Sequence, residues 1–466
     1  MQYFLKKIEH IAFFFYIVLV FWMISCHEPW FDEAQAWLLA RDLSFPELFW
    51  RYARYEGSPS LWHAILMLPA QLGLPYQILN IISGFFSVIA VYLLIFRTSL
   101  PIILRVIMPF TFFFAYQYSV VARSYCLLAP LLLVIGVFFE SRFAKPKLYA
   151  FALLLLANVS IHGMLIAGCL LVIDWKKWVF YWRILSVIFS VLLLNVFQLI
   201  PPKDINFAIQ TNWKIFPALS KAGSMLIGSF GGDVFLAASV IISSLFWFWQ
   251  RGVLAQFCLP IFALGAFFGM KYGNVWHEGS YFLIWVFALV LSFNKPVQDK
   301  QRNHQRLMIL TALLLFFPHL TWSYNSYKYD YQEKYTGAFD IVQYIKKWRL
   351  QRFQIVGQDF SICALEPYFK QNIFVNLNRG NLPAFWHWSF TSDYWYHPLQ
   401  VVLQQVELVI IGQKGIGYTT VPGYKEIAFF PGGLFWKDRI LENDSYLLLG
   451  RDDIASKLRR LNAKLH

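Results

Sequence analysis

Residues 6–37 read KKIEHIAFFFYIVLVFWMISCHEPWFDEAQAW, and this stretch decides the fold class. Two lysines precede an apolar run from Ile11 to Ile24, and Ser25-Cys26-His27-Glu28-Pro29-Trp30-Phe31-Asp32-Glu33 follows it. A secretory leader would end in small residues at a cleavage site. An acidic, aromatic segment in that place marks an uncleaved first membrane span, with its lysines on the cytoplasmic side.

The rest of the chain agrees. Of 466 residues 58% are hydrophobic, 20% are aromatic and 14% are charged. A soluble domain carries about a quarter charged residues, so a soluble fold of this composition could not cover its surface. The sequence describes an integral membrane protein. Its net charge of +14 then reads first as topology, because cytoplasmic loops collect Lys and Arg; no nucleic-acid partner is expected. The five cysteines, Cys26, Cys126, Cys169, Cys258 and Cys363, are scattered and make neither a metal pattern nor a disulfide framework.

A membrane helix needs about 20 mostly apolar residues. Stretches that qualify are 9–26, 76–96, 101–121, 124–140, 184–200, 233–249, 253–270, 279–294 and 307–322. The stretch 148–174 fits one long tilted span or two short ones meeting near His162-Gly163. Arg142, Lys145 and Lys147 precede it and Lys176, Lys177 and Arg183 follow it, so both flanks look cytoplasmic and a hairpin fits better. That predicts a polytopic α-helical membrane protein of about eleven spans, with the N-terminus in and the C-terminus out. Fifteen Lys and Arg of the first 322 residues then fall inside and eight outside, the expected sign.

Beyond residue 323 the hydrophobic runs shorten and charge returns. Gly337–Lys347 reads as an amphipathic helix. Phe353–Val356, Ile373–Val375, Leu408–Ile411 and Tyr446–Leu449 read as short strands. The expected organisation is a membrane domain over 1–323, whose first outer loop, 27–75, is helical, and a small extracytoplasmic α/β domain over 324–466.

Under this topology the polar chemistry gathers on the outer side. Adjacent carboxylates at a helix exit, Asp32 and Glu33, need solvation or a partner; Asp32 with Gln35 also fits a capping box, and the two readings are compatible. Ser58-Pro59 reads as a second helix start, preceded by Glu56, which is either a solvated loop acid or a second site acid. Arg123, in Arg123-Ser124-Tyr125, could clamp a lipid phosphate or anchor to headgroups. His162 at the hairpin tip and the cluster His277-Glu278-Gly279-Ser280-Tyr281 complete the set. The inner loops carry no glycine-rich phosphate loop and no acidic pair for a nucleotide with magnesium. A soluble nucleotide donor is therefore not expected.

These residues resemble the GT-C superfamily of polytopic glycosyltransferases, in the branch of protein O-mannosyltransferases and lipid A aminoarabinose transferases. Trp30-Phe31-Asp32-Glu33-Ala34 looks like the acidic motif that the family places after its first span, and Glu56-Gly57-Ser58-Pro59-Ser60-Leu61 is similar to its acid followed by a proline-containing helix start. The Arg123 turn and the His162 tip match positions where members present basic residues to the donor phosphate.

The resemblance implies a plasma (inner) membrane enzyme with a polyprenyl-phosphate sugar as donor and a lipid, glycan or protein as acceptor. Asp32 would be the base, with Glu33 supporting it. Glu56, Arg123, Tyr125, His162, His277, Glu278 and Tyr281 would bind substrate. A divalent metal held by Asp32 and Glu56 stays open. Other classes compatible with the sequence are a lipid-linked glycan transporter or flippase, an O-antigen ligase or polymerase, and a non-catalytic envelope assembly protein. A transporter would place its ionisable groups near the midplane within repeated halves, and no repeat is present.

Overall fold

The computed structural model describes residues 2–205, 211, 213–389, 406–412 and 421–456. Parts of the expected terminal domain, at 390–405, 413–420 and 457–466, lie outside the described residues.

The chain is mostly helical. The main helices are α1 (Gln2–Cys26), α2 (Phe31–Asp42), α3 (Leu61–Gln71), α4 (Ile78–Arg97), α5 (Leu128–Val137), α6 (Pro146–Ala157) and α7 (Ile161–Ile173). They continue as α8 (Trp182–Leu199), α9 (Ile215–Ser229), α10 (Val234–Arg251), α11 (Leu254–Met270), α12 (Gly279–Phe293), α13 (Arg302–Gln332) and α14 (Ala338–Lys347). With their flanking turns, α1, α4, α8, α10, α12 and α13 are long and apolar enough to cross a membrane.

Their outer surfaces expose large apolar side chains such as Phe14, Phe235 and Phe317, the pattern of helices solvated by lipid. The exception is α12, buried along its whole length. A helix that is apolar all round belongs at a centre, and α5, α10 and α11 pack against it.

The stretch 148–174 is two helices, α6 and α7, packed on each other. Ser160 caps α7 by accepting from the Gly163 N–H at 3.3 Å. A Cβ at Gly163 would stand 2.1 Å from the Leu156 carbonyl, so glycine is what allows the two helices to meet. Each is about 18–20 Å long at 1.5 Å per residue, short of a full hydrocarbon thickness.

The expected continuous span at 101–121 is not formed. A helix at Ile102–Ile107 gives way to a 3₁₀ turn at Met108–Phe110 and a π turn at Phe113–Gln117. Pro109 lacks the N–H that would continue the helix. A further helix, α9, occupies a region read from sequence as loop, and packs on α11.

At the bundle end opposite the terminal domain, charges are paired. Arg142 grips Asp174 through two 2.7 Å hydrogen bonds and covers the Phe139 ring at 3.7 Å. Arg105 meets Glu9 at 2.7 Å, and Arg251 donates to the Ser292 carbonyl at 2.7 Å.

The last span runs to Gln332, past the expected boundary at 324. The domain beyond it has a four-stranded sheet built from β1 (Ile355–Gln358), β2 (Leu408–Gly412), β3 (Tyr424–Phe430) and, after the two-stranded hairpin β4 (Gly433–Trp436) and β5 (Arg439–Asn443), β6 (Tyr446–Arg451). Its order is β1-β2-β6-β3, with β1 and β2 parallel and the other pairs antiparallel. Along β2 the side chains alternate faces. Leu408 and Ile410 join the core that continues into the helical bundle, while Val409 and Ile411 belong to a separate cluster. Three of the four expected strands appear as strands; Phe374 makes only an isolated bridge to Ile355.

Candidate functional site

Residues 27–75 contain several helices, and two of them begin at other residues than expected. Trp30, not Asp32, precedes the first turn of α2, and the Glu33 carboxylate reaches back to the Trp30 N–H at 3.1 Å. Ser60, not Ser58, precedes α3. Gly57, at φ +60°, ends the short helix Ala53–Glu56, a conformation that costs glycine little. Because Glu33 does the capping, Asp32 in the same turn points elsewhere.

Glu33 is fully buried and saturated. Besides Trp30, it accepts from Asn80 Nδ2 of α4 at 2.8 Å and from the Ala122 N–H at 2.7 Å, and it faces His27 Nε2 at 3.4 Å. His27 donates its other N–H to Asp330 of α13 at 2.8 Å, and Asp330 also accepts from the Tyr116 hydroxyl at 3.0 Å. Burial opposes a charge on His27, but Asp330 and Glu33 outweigh it and push its pKa up to about 10. The result is a buried carboxylate–imidazolium–carboxylate chain tying together α1, α2 and α13. Glu33 therefore stands inside the scaffold, away from the reacting position expected from its neighbour.

Fixing Ala122 fixes the next residue, Arg123, which forms an ion pair with Asp32. This pair is open: each side chain keeps about a third of its surface exposed. Burial opposes the Arg123 charge, yet Asp32 and Tyr125 hold the guanidinium above its ordinary value. Glu56 sits beside them. Gln35 Nε2 donates to Glu56 at 2.9 Å. Lost solvation first, and Asp32 as well, raise the Glu56 carboxyl to about 7 against the opposing effects of Gln35 and Arg123. His63 of α3 is pushed down to about 4 by burial and then by Arg123, so it is neutral near that cation.

On the other side lies a ring cluster. The His162 and His277 centroids are 4.6 Å apart, and Tyr125 stands 5.5 Å from the first and 5.6 Å from the second. His277 Nδ1 accepts from the Asn274 N–H at 3.2 Å, which leaves its proton on Nε2. Both His162 nitrogens are buried without a hydrogen-bond partner among the described residues, an arrangement that buried polar groups rarely keep. Tyr272 packs on His277 at 5.2 Å. Burial, and then the Asp32 carboxylate, push its hydroxyl pKa up.

Tyr281 and Glu278 face other ways. Tyr281 packs on Phe268 at 5.3 Å, and Phe268 in turn stacks on His277. Tyr281 lines an apolar cavity of about 460 Å³ between α9 and α11, with Leu219, Ala222, Gly223, Phe262 and Gly265. Glu278 is buried in an ion pair with Lys437, at the β4–β5 hairpin. Lys437 also donates to the Gly228 carbonyl at 2.7 Å and lies 4.1 Å over the Trp322 ring. Glu278 thus anchors the terminal domain to the bundle and is not part of the Asp32 cluster.

No family model, curated protein or solved structure matches this chain. Asp32 and Glu56, the carboxylates of metal-binding type, already carry nitrogen partners. Among the described residues there is no group of three or more His, Cys, Asp or Glu that could hold a metal. The donor set does not fit a cation cage.

His27, His63 and Asp330 were not singled out from sequence. Asp330 carried a usable signal, since an ionisable residue near the end of an apolar helix marks a polar site. His63 carried none.

Proposed function

We propose that this chain is a GT-C-like membrane glycosyltransferase that moves a sugar from a polyprenyl-phosphate donor to an envelope acceptor, on the non-cytosolic face of the plasma (inner) membrane. The observation that carries the reading is the meeting of Asp32, Glu56 and Arg123 beside the His162–His277 pair, which Phe268 and Tyr281 link to an apolar cavity. The sidedness is supported by the opposite bundle end, where Arg105, Arg142 and Arg251 sit, as the positive-inside rule asks. The eleven-span topology counts α6, α7 and the broken 102–122 segment as crossings.

The chemistry follows from the charges. An incoming lipid phosphate competes with Asp32 for the Arg123 guanidinium, which suits bidentate phosphate binding. The isoprenoid chain lies in the cavity beside Tyr281. His277 donates from Nε2 and His162 from one of its partnerless nitrogens to the phosphate oxygens, and Tyr125 packs beside both rings. Released from its pair, Asp32 takes the proton of the acceptor hydroxyl as that oxygen attacks the anomeric carbon. The bond to the phosphate oxygen breaks, and the lipid phosphate leaves with the electron pair, neutralised by Arg123. One displacement inverts the anomeric centre, by analogy with inverting glycosidases. Glu56 accepts from a sugar hydroxyl, and Glu33 keeps the Ala122-Arg123 turn in place.

The test is binding of undecaprenyl phosphate to the full chain in nanodiscs, read by native mass spectrometry. Wild type retains the lipid and Arg123→Ala weakens it at least about tenfold, the scale of a lost charge-assisted hydrogen bond. Equal retention by both proteins would remove the donor assignment.

A further inference from the structure

We propose that the cleft between α9, the turn at 273–275 and the β4–β5 hairpin binds the phosphate headgroup of an anionic membrane lipid, held by Lys221 and Arg439. The site is separate from Arg123 and stands whether or not the chain transfers sugar.

The cleft is built where the terminal domain meets the bundle, and its volume is about 580 Å³. Lys221, Met225 and Gly228 of α9 line one wall; Trp436, Asp438 and Arg439 of the hairpin line another. The Glu278–Lys437 pair locks these walls together, and Lys437 also donates to the Gly228 carbonyl at 2.7 Å. A Cβ at Gly228 would collide with the Glu278 carboxylate, so glycine lets that carboxylate reach α9. Lys437 stands at φ +62°, where turns ordinarily carry Gly, Asn or Asp. What a lysine supplies at that strained position is its ammonium, spent on holding the cleft's shape.

The pair neutralises itself. The charges left on the lining are Lys221, Asp438 and Arg439, all exposed, an excess of one cation. Neither the Lys221 nor the Arg439 side chain has a hydrogen bond or ion pair among the described residues. Arg41, Arg105, Arg142 and Arg251, by contrast, all grip carboxylates or carbonyls. Two cations on one cleft are thus free for an anion from outside.

The surroundings select the occupant. Between the cations the lining is apolar, with Met225, Ile227, Val275 and Trp322. Gly232, also on the lining, belongs to the turn into α10, and the first residues of that helix, Val234 and Phe235, are 58% and 82% exposed. The cleft therefore borders the surface that lipid solvates. A phosphodiester headgroup takes hydrogen bonds from guanidinium and ammonium together, while its glycerol and first acyl carbons cover the apolar lining. A free anion has no use for that lining. The bound headgroup would share a turn with the candidate site, since Asn274 lines the cleft and its N–H donates to His277 Nδ1 at 3.2 Å.

The experiment uses the full chain in nanodiscs. Photoactivatable phosphatidylglycerol is the probe, its phosphatidylcholine counterpart the neutral arm, and inorganic phosphate the competitor. Peptide mass spectrometry is expected to find phosphatidylglycerol crosslinks at 225–227 and 273–275, about tenfold above those of phosphatidylcholine, the scale of a charge-assisted hydrogen bond. Lys221→Gln combined with Arg439→Gln removes this excess, and Lys221→Arg combined with Arg439→Lys keeps most of it. Both side chains are exposed and unpaired, so the neutral variant unfolds thermally as wild type does. Neutralising Lys328 and Lys370, exposed cations outside the cleft, leaves the crosslinks unchanged. Arg123→Ala, which tests the donor reading, leaves them unchanged as well. Equal labelling by the two lipids, full labelling of the Lys221–Arg439 neutral variant, or the same loss in the Lys328–Lys370 variant overturns the proposal. Displacement of the label by inorganic phosphate overturns the lipid assignment and gives the cleft to a free anion.

Discussion

Arg123 pairs with Asp32, while the residue before it, Ala122, donates its backbone N–H to Glu33, the residue after Asp32. Two adjacent carboxylates thus hold two adjacent residues of a distant turn. One contact is buried and fixed; the other is open and exchangeable. In a helix each residue turns the side chain by about 100°, enough to send one carboxylate inward and leave the other at the mouth.

The two carboxylates should separate in experiment. Asp32→Asn is expected to lower transfer by about 10²- to 10⁴-fold, the range of general-base catalysis, with thermal unfolding near wild type. Glu33→Ala leaves the His27 imidazolium and three N–H donors without their acceptor, and breaking a buried pair in this way costs about 3–5 kcal/mol. Thermal unfolding in detergent, run beside turnover, checks both. A Glu33→Ala protein as stable as wild type would contradict the buried chain.

Glu56, raised to about 7, should write its ionisation into the pH profile. As the acceptor of a sugar hydroxyl it works ionised, so kcat/KM rises through pH 7 and levels above it, and Glu56→Gln loses this limb. The sign for stability is opposite. A carboxyl whose folded pKa lies above its ordinary 4.5 favours the folded state while protonated, and that support fades as pH rises from about 4.5 through 7. Glu56→Gln is therefore expected to gain stability relative to wild type at pH 8 and to match it at pH 4.

The six helices long and apolar enough to cross a membrane were legible because long apolar runs bounded by charge have few alternatives. The first helix and its acidic exit, a break within 148–174 and the strands at Leu408–Gly412 and Tyr446–Arg451 all follow from local pattern, although the break falls at 158–160, just before His162-Gly163. Hydropathy could not show that Pro109 interrupts 101–121, since broken and continuous apolar segments have the same composition. The short α9 was likewise hidden. In the site, Asp32, Glu56, Arg123, His162 and His277 are brought together. Glu278 is not, because its partner Lys437 lies 159 residues away, beyond any local signal. Asp32 and Glu33 look alike in sequence and differ only once the helix phase is known.

Glu278 and Lys437 should behave as a tether. Both are nearly buried, so Lys437→Met alone leaves an unpaired carboxylate and lowers stability by about 3–5 kcal/mol. Combining it with Glu278→Gln restores much of the loss. Limited proteolysis between the last span and β1 reports the same order: the single variant is cut fastest. Additive losses in the double variant would mean that the two residues act separately.

The apolar cavity can be filled where it is open. A Cβ at Gly223 meets nothing within 4 Å, so Gly223→Leu is accommodated by the fold while occupying the space assigned to the isoprenoid chain. The expected outcome is a KM for donor lipid raised about tenfold, with the acceptor KM unchanged. A change in acceptor KM alone would move the lipid elsewhere.

The central claim is that Asp32 and Arg123 perform sugar transfer from a lipid phosphate. Its most direct test is mass spectrometry of envelope lipids and glycans from cells whose only copy of the gene carries Asp32→Asn or Arg123→Ala, beside wild type and a deletion, with protein levels matched. The account predicts that both variants lack the same sugar adduct that the deletion lacks. Cells carrying Asp32→Asn whose envelope retains that adduct at wild-type abundance would contradict it.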